Sequence, residues 1–124
     1  MKLSDCCNVG DFRKLAKKKL PSPIFHYIDG GADDEVTLRR NTESFERCDL
    51  VPSVLTDVSN IDLSTTVLGQ KIKFPLFLSP AAMHQMYHHE GEVATAKAAE
   101  KLGTFFSLST MATTSIEDVS KVSD

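Results

Sequence analysis

Residues 75–118 read PLFLSPAAMHQMYHHEGEVATAKAAEKLGTFFSLSTMATTSIED. Leu76-Phe77-Leu78 is a short apolar run between two prolines, which is typical of a buried strand. Gly91–Leu102 has apolar residues at helical spacing, and its alanines would let a helix lie close to a sheet. Residues 104–108 are a second apolar run, and Ser115 opens a second helix with a capping-box pattern. This order predicts two βα units of a parallel sheet, which we expect to be the front part of a longer fold.

The first part of the chain predicts three short helices. Residues 12–20 have apolar side chains at helical spacing, with Asp11 as the expected N-cap. A second helix over residues 24–29 is expected to end at Gly30-Gly31, because glycine readily adopts left-handed angles. A third helix is expected over residues 33–45.

A β-hairpin is predicted next. Two stretches of strand-forming residues, 65–68 and 71–74, flank Gly69-Gln70. A two-residue connection with glycine first indicates a tight hairpin turn at these two positions. We therefore expect one domain over residues 1–124, divided into a helical segment at 1–49, an extended and hairpin segment at 50–74, and the two βα units at 75–124.

Composition and charge narrow the classes of function. The chain has 124 residues, 41% of them hydrophobic, and a net charge of -3. This mild acidity argues against nucleic acid as a partner. No apolar stretch is long enough for an integral membrane segment, and the N-terminus lacks the apolar run of a signal peptide. We expect a cytoplasmic protein, with a peroxisomal or peripheral membrane location left open. Three cysteines without a CxxC pair favour neither a disulfide framework nor a zinc site.

Two loops follow the predicted strands and are candidates for binding, because functional loops leave the C-terminal ends of parallel strands. They begin with residues 79–83 and 109–114, which are small and rich in hydroxyl groups. A flat ligand could approach their backbone closely, although tight structural loops would have the same composition. Neither a GxGxxG motif nor a P-loop is present, so a Rossmann or Walker nucleotide site has no support.

Two further groups of residues leave alternatives open. His84, His88, His89 and Glu90 could hold a metal ion, because His84 and His88 could share a helix face. Because the sequence has no second ligand cluster and no HExxH motif, we expect a solvated or loop-packing cluster and no metal site. Tyr27 lies in an otherwise apolar predicted helix, where a tyrosine is more often a core residue with a satisfied hydroxyl than a functional one.

Six separated blocks, in one order, resemble a known family. They are LP at 20–21 with FHYIDGGA at 25–32, TLRRN at 37–41, IDLSTTVLG at 61–69, PLFLSPAAM at 75–83, HEGE at 89–92 and LST at 108–110. With these residues, the chain resembles the FMN-dependent α-hydroxy-acid oxidases and dehydrogenases, which include glycolate oxidase, lactate oxidase and flavocytochrome b2. The resemblance covers residues 12–122.

The resemblance implies a fold, a cofactor and roles for individual residues. The fold is an α/β TIM (β/α)8 barrel that binds FMN, of which this chain covers the N-terminal helices, the bottom hairpin and the first two βα units. Tyr27 would bind the substrate carboxylate and Met111 would line the substrate pocket. The implied flavin contacts are Pro80, Ala81, Ala82, Met83 and Ser109.

The implied reaction is oxidation of an L-2-hydroxy acid, such as lactate or glycolate, to the 2-oxo acid. None of the four histidines matches the family's catalytic histidine, so we expect residues 1–124 alone to be inactive. The family also implies a homo-oligomer, often a tetramer. The alternative is a truncated, non-catalytic product of that fold that acts at most as a binding or assembly module.

Overall fold

The computed structural model describes residues 2–122, which form two compact units divided between Thr56 and Asp57. The first unit contains helices α1, α2 and α3, and the second contains strands β1 and β2 and helices α4 and α5. The helices are α1 Val9–Lys19, α2 Ser22–Asp29, α3 Val36–Glu43, α4 Gly91–Leu102 and α5 Ile116–Ser120; the strands are β1 Thr65–Val67 and β2 Gln70–Ile72; and short 3-10 turns cover Leu3–Asp5, Phe45–Arg47 and His84–Met86. Within the described residues, no helix combines the length and the apolar character needed to cross a bilayer.

In the first unit, α1 contacts α2, and each helix has one buried apolar residue, Leu15 in α1 and Phe25 in α2. The side chain of Asn8 caps α1 by accepting the Asp11 N–H at 2.9 Å. The expected N-cap at Asp11 is therefore wrong, because α1 begins three residues before its apolar face. Asp11 lies instead in the first turn, where a negative charge favours the helix dipole.

The end of α2 also differs from the prediction. Gly30 has an extended backbone (φ -84°, ψ 161°), and its N–H closes the last turn on the His26 carbonyl, so no left-handed glycine is needed. The left-handed residues of this connection are Asp33 and Glu35, at φ 47° and 56°. Helix α3 is shorter than expected at both ends: it starts at Val36, after the left-handed Glu35, and it ends at Glu43, before a separate 3-10 turn that begins at Phe45.

The predicted hairpin is present, but its turn lies one residue earlier than expected. Strands β1 and β2 are antiparallel and pair Val67 with Gln70, so the turn residues are Leu68 and Gly69. Both have positive φ, at 51° and 78°, which is the combination that a two-residue type I′ turn requires. This register leaves Ile72 of β2 buried.

The two predicted βα strands lie side by side in parallel. The Leu78 N–H donates to the Phe105 carbonyl at 2.9 Å, and the Ser107 N–H donates to the Leu78 carbonyl at 3.0 Å. The pairing is a single bridge, and Leu78 is 37% exposed, so the prediction of fully buried strands is wrong for the described residues. The physical reason is that, within residues 2–122, this pair forms the whole parallel sheet.

Helix α4 spans Gly91–Leu102, as predicted, and ends at the left-handed Gly103 (φ 69°). Ala96 and Ala99 on its inner face are buried, which confirms close packing through small side chains. Helix α5 begins at the predicted N-cap, where the Ser115 hydroxyl oxygen accepts the N–H of Asp118. The second unit therefore has the predicted order of strand, helix, strand and helix.

Candidate functional site

The two loops that follow the parallel strands lie next to each other. We call residues 79–90 the first loop and residues 109–115 the second loop. The N–H of Met83, in the first loop, donates to the carbonyl of Met111, in the second loop, at 3.1 Å. Because parallel strands deliver their following loops to one edge of the sheet, this contact is the expected consequence of the topology.

Residues that pair between the two βα units are separated by a constant 28 positions in the sequence. The Gln85 N–H donates to Thr113 Oγ1 at 3.2 Å, across 28 residues of sequence. The bridge between Leu78 and Phe106 has the same separation, and so does the Met83–Met111 hydrogen bond. The two segments therefore run in a single register from the strands into the loops.

A buried carboxylate holds these loops to α4. Glu92, in the first turn of α4, is fully buried, and each of its oxygens accepts two hydrogen bonds. Its Oε1 accepts the N–H groups of His84 at 3.1 Å and of Thr113 at 2.9 Å. Its Oε2 accepts the hydroxyl groups of Thr113 at 2.7 Å and of Thr114 at 2.8 Å. One side chain thus joins α4 to both loops.

The environment of Glu92 keeps its carboxyl ionised. Burial raises the pKa of this group, whereas the hydrogen bonds from Thr113, Thr114 and the His84 amide lower it, and the net result is a pKa lowered from 4.5 to about 2. The positive end of the α4 dipole also favours a negative charge in the first turn. No sequence pattern assigned a role to Glu92. The available signal was an acidic residue at the start of a helix with an alanine-rich inner face.

The four predicted flavin contacts of the first loop are exposed or half-buried. Pro80 and Ala81 are exposed, and Ala82 and Met83 are half-buried. Among the described residues, no acceptor receives the backbone N–H groups of Ala81 and Ala82, so both are available to a ligand. Met83 has a left-handed backbone (φ 55°, ψ 46°), which is uncommon for a residue with a side chain and which its hydrogen bond to the second loop helps to hold.

In the second loop, Ser109 and Met111 are tied together. The Met111 N–H donates to Ser109 Oγ at 3.1 Å, and the Ala112 N–H donates to the Ser109 carbonyl at the same distance. The Ser109 hydroxyl accepts a bond here and keeps its own hydrogen for donation to a ligand. The Met111 side chain is 61% exposed, so it can line an adjoining pocket.

Tyr27 belongs to the first unit, whereas the other predicted site residues belong to the second. It lies on α2, and its side chain is 63% exposed, while the neighbouring Phe25 provides the buried contact of that helix. The interpretation of Tyr27 as a core residue is therefore wrong for the described unit. Its phenol is accessible to a ligand.

The histidine cluster has protein partners of its own. His84 Nδ1 lies 3.1 Å from Thr95 Oγ1, and His89 Nε2 lies 3.9 Å from Glu90 Oε1. The rings of His88 and His89 have centroids 4.4 Å apart and planes tilted by 35°. Within the part of the chain that the structure describes, no three His, Cys, Asp or Glu side chains are arranged to hold a metal ion. His84 and His88 border an open groove of about 520 Å³ along α4, together with Tyr87, Gly91, Ala94, Thr95 and Ala98.

Comparison with known proteins identifies relatives over nearly the whole chain. The family model described as FMN-dependent dehydrogenase matches residues 16–124. Glycolate oxidase 5 of Oryza sativa subsp. japonica is 47% identical over 117 residues, which are 94% of this chain and 32% of that protein. Peroxisomal (S)-2-hydroxyacid oxidase GLO4 of Arabidopsis thaliana is 46% identical over 112 residues, covering 90% of this chain and 31% of that protein.

A solved structure of similar fold is that of the G81A mutant of the active chimera of (S)-mandelate dehydrogenase. It superimposes with a TM-score of 0.86 at 40% sequence identity, covering 92% of this chain and 32% of that one. The chain thus spans about a third of the length of the relatives it matches. These structures are TIM barrels, which confirms the expected fold class, with the described residues corresponding to the N-terminal part of the barrel.

Proposed function

The chain belongs to the FMN-dependent dehydrogenase family, and on that premise we propose that the complete gene product containing it binds FMN and oxidises an L-2-hydroxy acid to the 2-oxo acid. When bound, FMN supplies the redox chemistry by accepting two electrons from the substrate. The single observation that carries the proposal for this site is the hydrogen bond that joins Met83 to Met111. It brings a predicted flavin contact beside the predicted lining of the substrate pocket.

The residues of the two loops fit a flat, polar-edged ring. Ala81 and Ala82 present only methyl groups, so a ring could lie against their backbone, and their free N–H groups could donate to its edge. The Ser109 hydroxyl could donate to a second polar edge. We therefore propose that residues 80–83 and Ser109 contact the flavin and that Met111 lines the substrate pocket.

Tyr27 is proposed to bind the substrate carboxylate through its accessible phenol. A hydrogen bond to a charged group contributes about 1.5–3 kcal/mol. Its loss in Tyr27→Phe is therefore expected to reduce kcat/KM by about tenfold or more. The general base that removes the substrate proton is proposed to be a histidine outside residues 1–124, so these residues alone would not catalyse the reaction.

The test uses the complete gene product. It is titrated with FMN, and oxidation of glycolate, L-lactate and L-mandelate is measured for wild type and Tyr27→Phe. We expect tight FMN binding, turnover of at least one acid by wild type, and a loss of kcat/KM in Tyr27→Phe. A wild-type protein that binds no FMN would contradict the proposed function, whereas equal kinetics in Tyr27→Phe would contradict only the role of that residue.

The assembly and the location of the complete protein are also proposals. We propose a homotetramer, as the family resemblance implies, and a cytoplasmic location. A relative named as peroxisomal makes the peroxisome the competing compartment. Light scattering on the purified complete protein would give the mass of the assembly, and a monomeric mass would contradict the tetramer. Localisation of the tagged complete protein in its native cell would decide between the two compartments.

A further inference from the structure

We propose that Glu92 is a positioning residue for the cofactor: it fixes the relative placement of the first and second loops, and thereby the backbone groups that would contact FMN. This inference rests on the proposed function and deepens it, because it concerns what positions the groups that are proposed to contact FMN. Glu92 itself is fully buried and is not proposed to touch FMN.

The hydrogen bonds of Glu92 reach the residues next to the predicted contacts. The His84 N–H, which donates to Oε1, directly follows Met83, and the Thr113 N–H, which donates to the same oxygen, lies two residues after Met111. A displacement of the carboxylate would therefore move both loops where they meet. The hydroxyl groups of Thr113 and Thr114 hold the other oxygen, so the side chain is fixed at both ends of its carboxylate.

Stability alone does not require an ionised group at this position. Among the ion pairs of the described residues, none includes Glu92, so neutral donors alone hold its charge. Burying a charge is costly, and an apolar side chain of similar size often stabilises a core as well or better. Directional acceptance of four hydrogen bonds is what an apolar side chain cannot supply, and it is what fixes two loops relative to a helix.

The first residue of α4 is a glycine that lies close to both loops. Gly91 has a left-handed φ of 54°, and a Cβ there would lie 2.6 Å from Gln85 Cγ in the first loop and 3.5 Å from Thr114 Oγ1 in the second. The helix therefore begins in direct contact with both loops. Glu92 directly follows Gly91, so the close approach lies next to the four hydrogen bonds of the carboxylate.

Glu92→Gln is the most informative variant, because it preserves the shape of the side chain and replaces only one of the two carboxylate oxygens with an amide nitrogen. An amide oxygen in place of Oε1 can still accept the two backbone N–H groups. An amide nitrogen in place of Oε2 would face two hydroxyl groups, which would have to rotate to accept, and Thr113 Oγ1 already accepts the Gln85 N–H. Glu100→Gln is the matched control, because Glu100 is on the same helix and exposed.

The experiment measures FMN binding and the visible circular dichroism of bound FMN in the complete gene product, together with thermal unfolding of the FMN-free protein. For Glu92→Gln we expect the Kd for FMN to rise about tenfold or more and the flavin dichroism to change, with both unchanged in Glu100→Gln. If Glu92→Gln does not fold, Thr114→Val removes one hydroxyl at nearly constant volume and is expected to raise the Kd about threefold.

The outcomes separate this inference from the proposed function. If Glu92→Gln lowers the melting temperature but leaves the Kd for FMN and the flavin dichroism unchanged, Glu92 has only a structural role and the inference is overturned. Wild-type values of all three quantities in Glu92→Gln would also overturn it. If Thr114→Val is used because Glu92→Gln does not fold, a wild-type Kd for FMN and wild-type flavin dichroism in Thr114→Val would overturn the inference as well. A wild-type protein that binds no FMN would overturn the proposed function, and the inference would fall with it.

Discussion

Acidification below pH 5 is expected to remove stability that the Glu92 carboxylate contributes to the fold. This group is fully buried and is ionised at neutral pH, because four hydrogen bonds lower its pKa to about 2. In the unfolded chain the same carboxyl titrates near its ordinary value of 4.5. A group with a lowered pKa in the folded state stabilises that state above the unfolded pKa, and its contribution declines as the pH falls toward the folded pKa.

The size of the effect follows from the two pKa values. A shift from 4.5 to about 2 corresponds to about 3 kcal/mol at pH 7, since one pKa unit is worth about 1.4 kcal/mol. By pH 3 the unfolded carboxyl is almost fully protonated, while most of the folded carboxyl is still ionised. About 2 kcal/mol of the contribution is lost at that point.

Urea unfolding of wild type and Glu92→Gln at pH 7, 5 and 3 measures this contribution. Other carboxyls with lowered pKa values, such as Asp11, Asp29 and Asp118, are present in both proteins, so their effects cancel in the difference. We expect the stability advantage of wild type over Glu92→Gln to shrink by about 2 kcal/mol between pH 7 and pH 3. An advantage that does not change with pH would refute the lowered pKa.

Two substitutions test the left-handed backbone positions. Leu68→Asn is expected to stabilise the protein by about 1 kcal/mol, because Leu68 has a φ of 51° that asparagine adopts at lower cost and its side chain is 95% exposed. The control is Leu50→Asn, which should have little effect on the free energy of unfolding in the same urea titration, because Leu50 is equally exposed and lies outside the left-handed region. If Leu68→Asn instead destabilises the protein, the assigned turn is contradicted. Gly91→Ala is expected to cost about 1–2 kcal/mol, because it combines a left-handed φ with a 2.6 Å approach to Gln85. Gly10→Ala in the first turn of α1 should cost less, and equal losses at the two glycines would contradict this reasoning.

Local sequence patterns were sufficient to predict the elements whose residues lie close together in sequence. Helix α4 has both its alanine face and its terminating glycine within one stretch, so its bounds could be predicted. The hairpin was predicted as well, but not its turn. A turn at Leu68-Gly69 places a leucine at positive φ, and residue preference alone argues against that choice. The pairing of the strands and the burial of Ile72 outweigh this local preference.

The part of the site that could not be predicted depends on long-range contacts. Tyr27, Ala81, Ala82, Ser109 and Met111 are predicted site residues only through the family resemblance, and no pattern of spacing alone would have separated them from ordinary loop and helix residues. Glu92 lies within a stretch that contributed to that resemblance, yet its burial depends on hydroxyl and amide groups more than 20 residues away. Only the packing of α4 against both loops shows that this carboxylate is enclosed.

The constant offset of 28 residues between the two βα units limits how such a sequence can change in length during evolution. Insertion of one residue between Leu78 and Gln85 would shift the register of the first loop relative to the second, and the hydrogen bond from Met83 to Met111 would be lost. Only a matching insertion in the second unit would restore the alignment. Length differences among homologues should therefore accumulate after Gln85 in the first loop and after Thr114 in the second, and these are also the places where engineered insertions have the best chance of being tolerated.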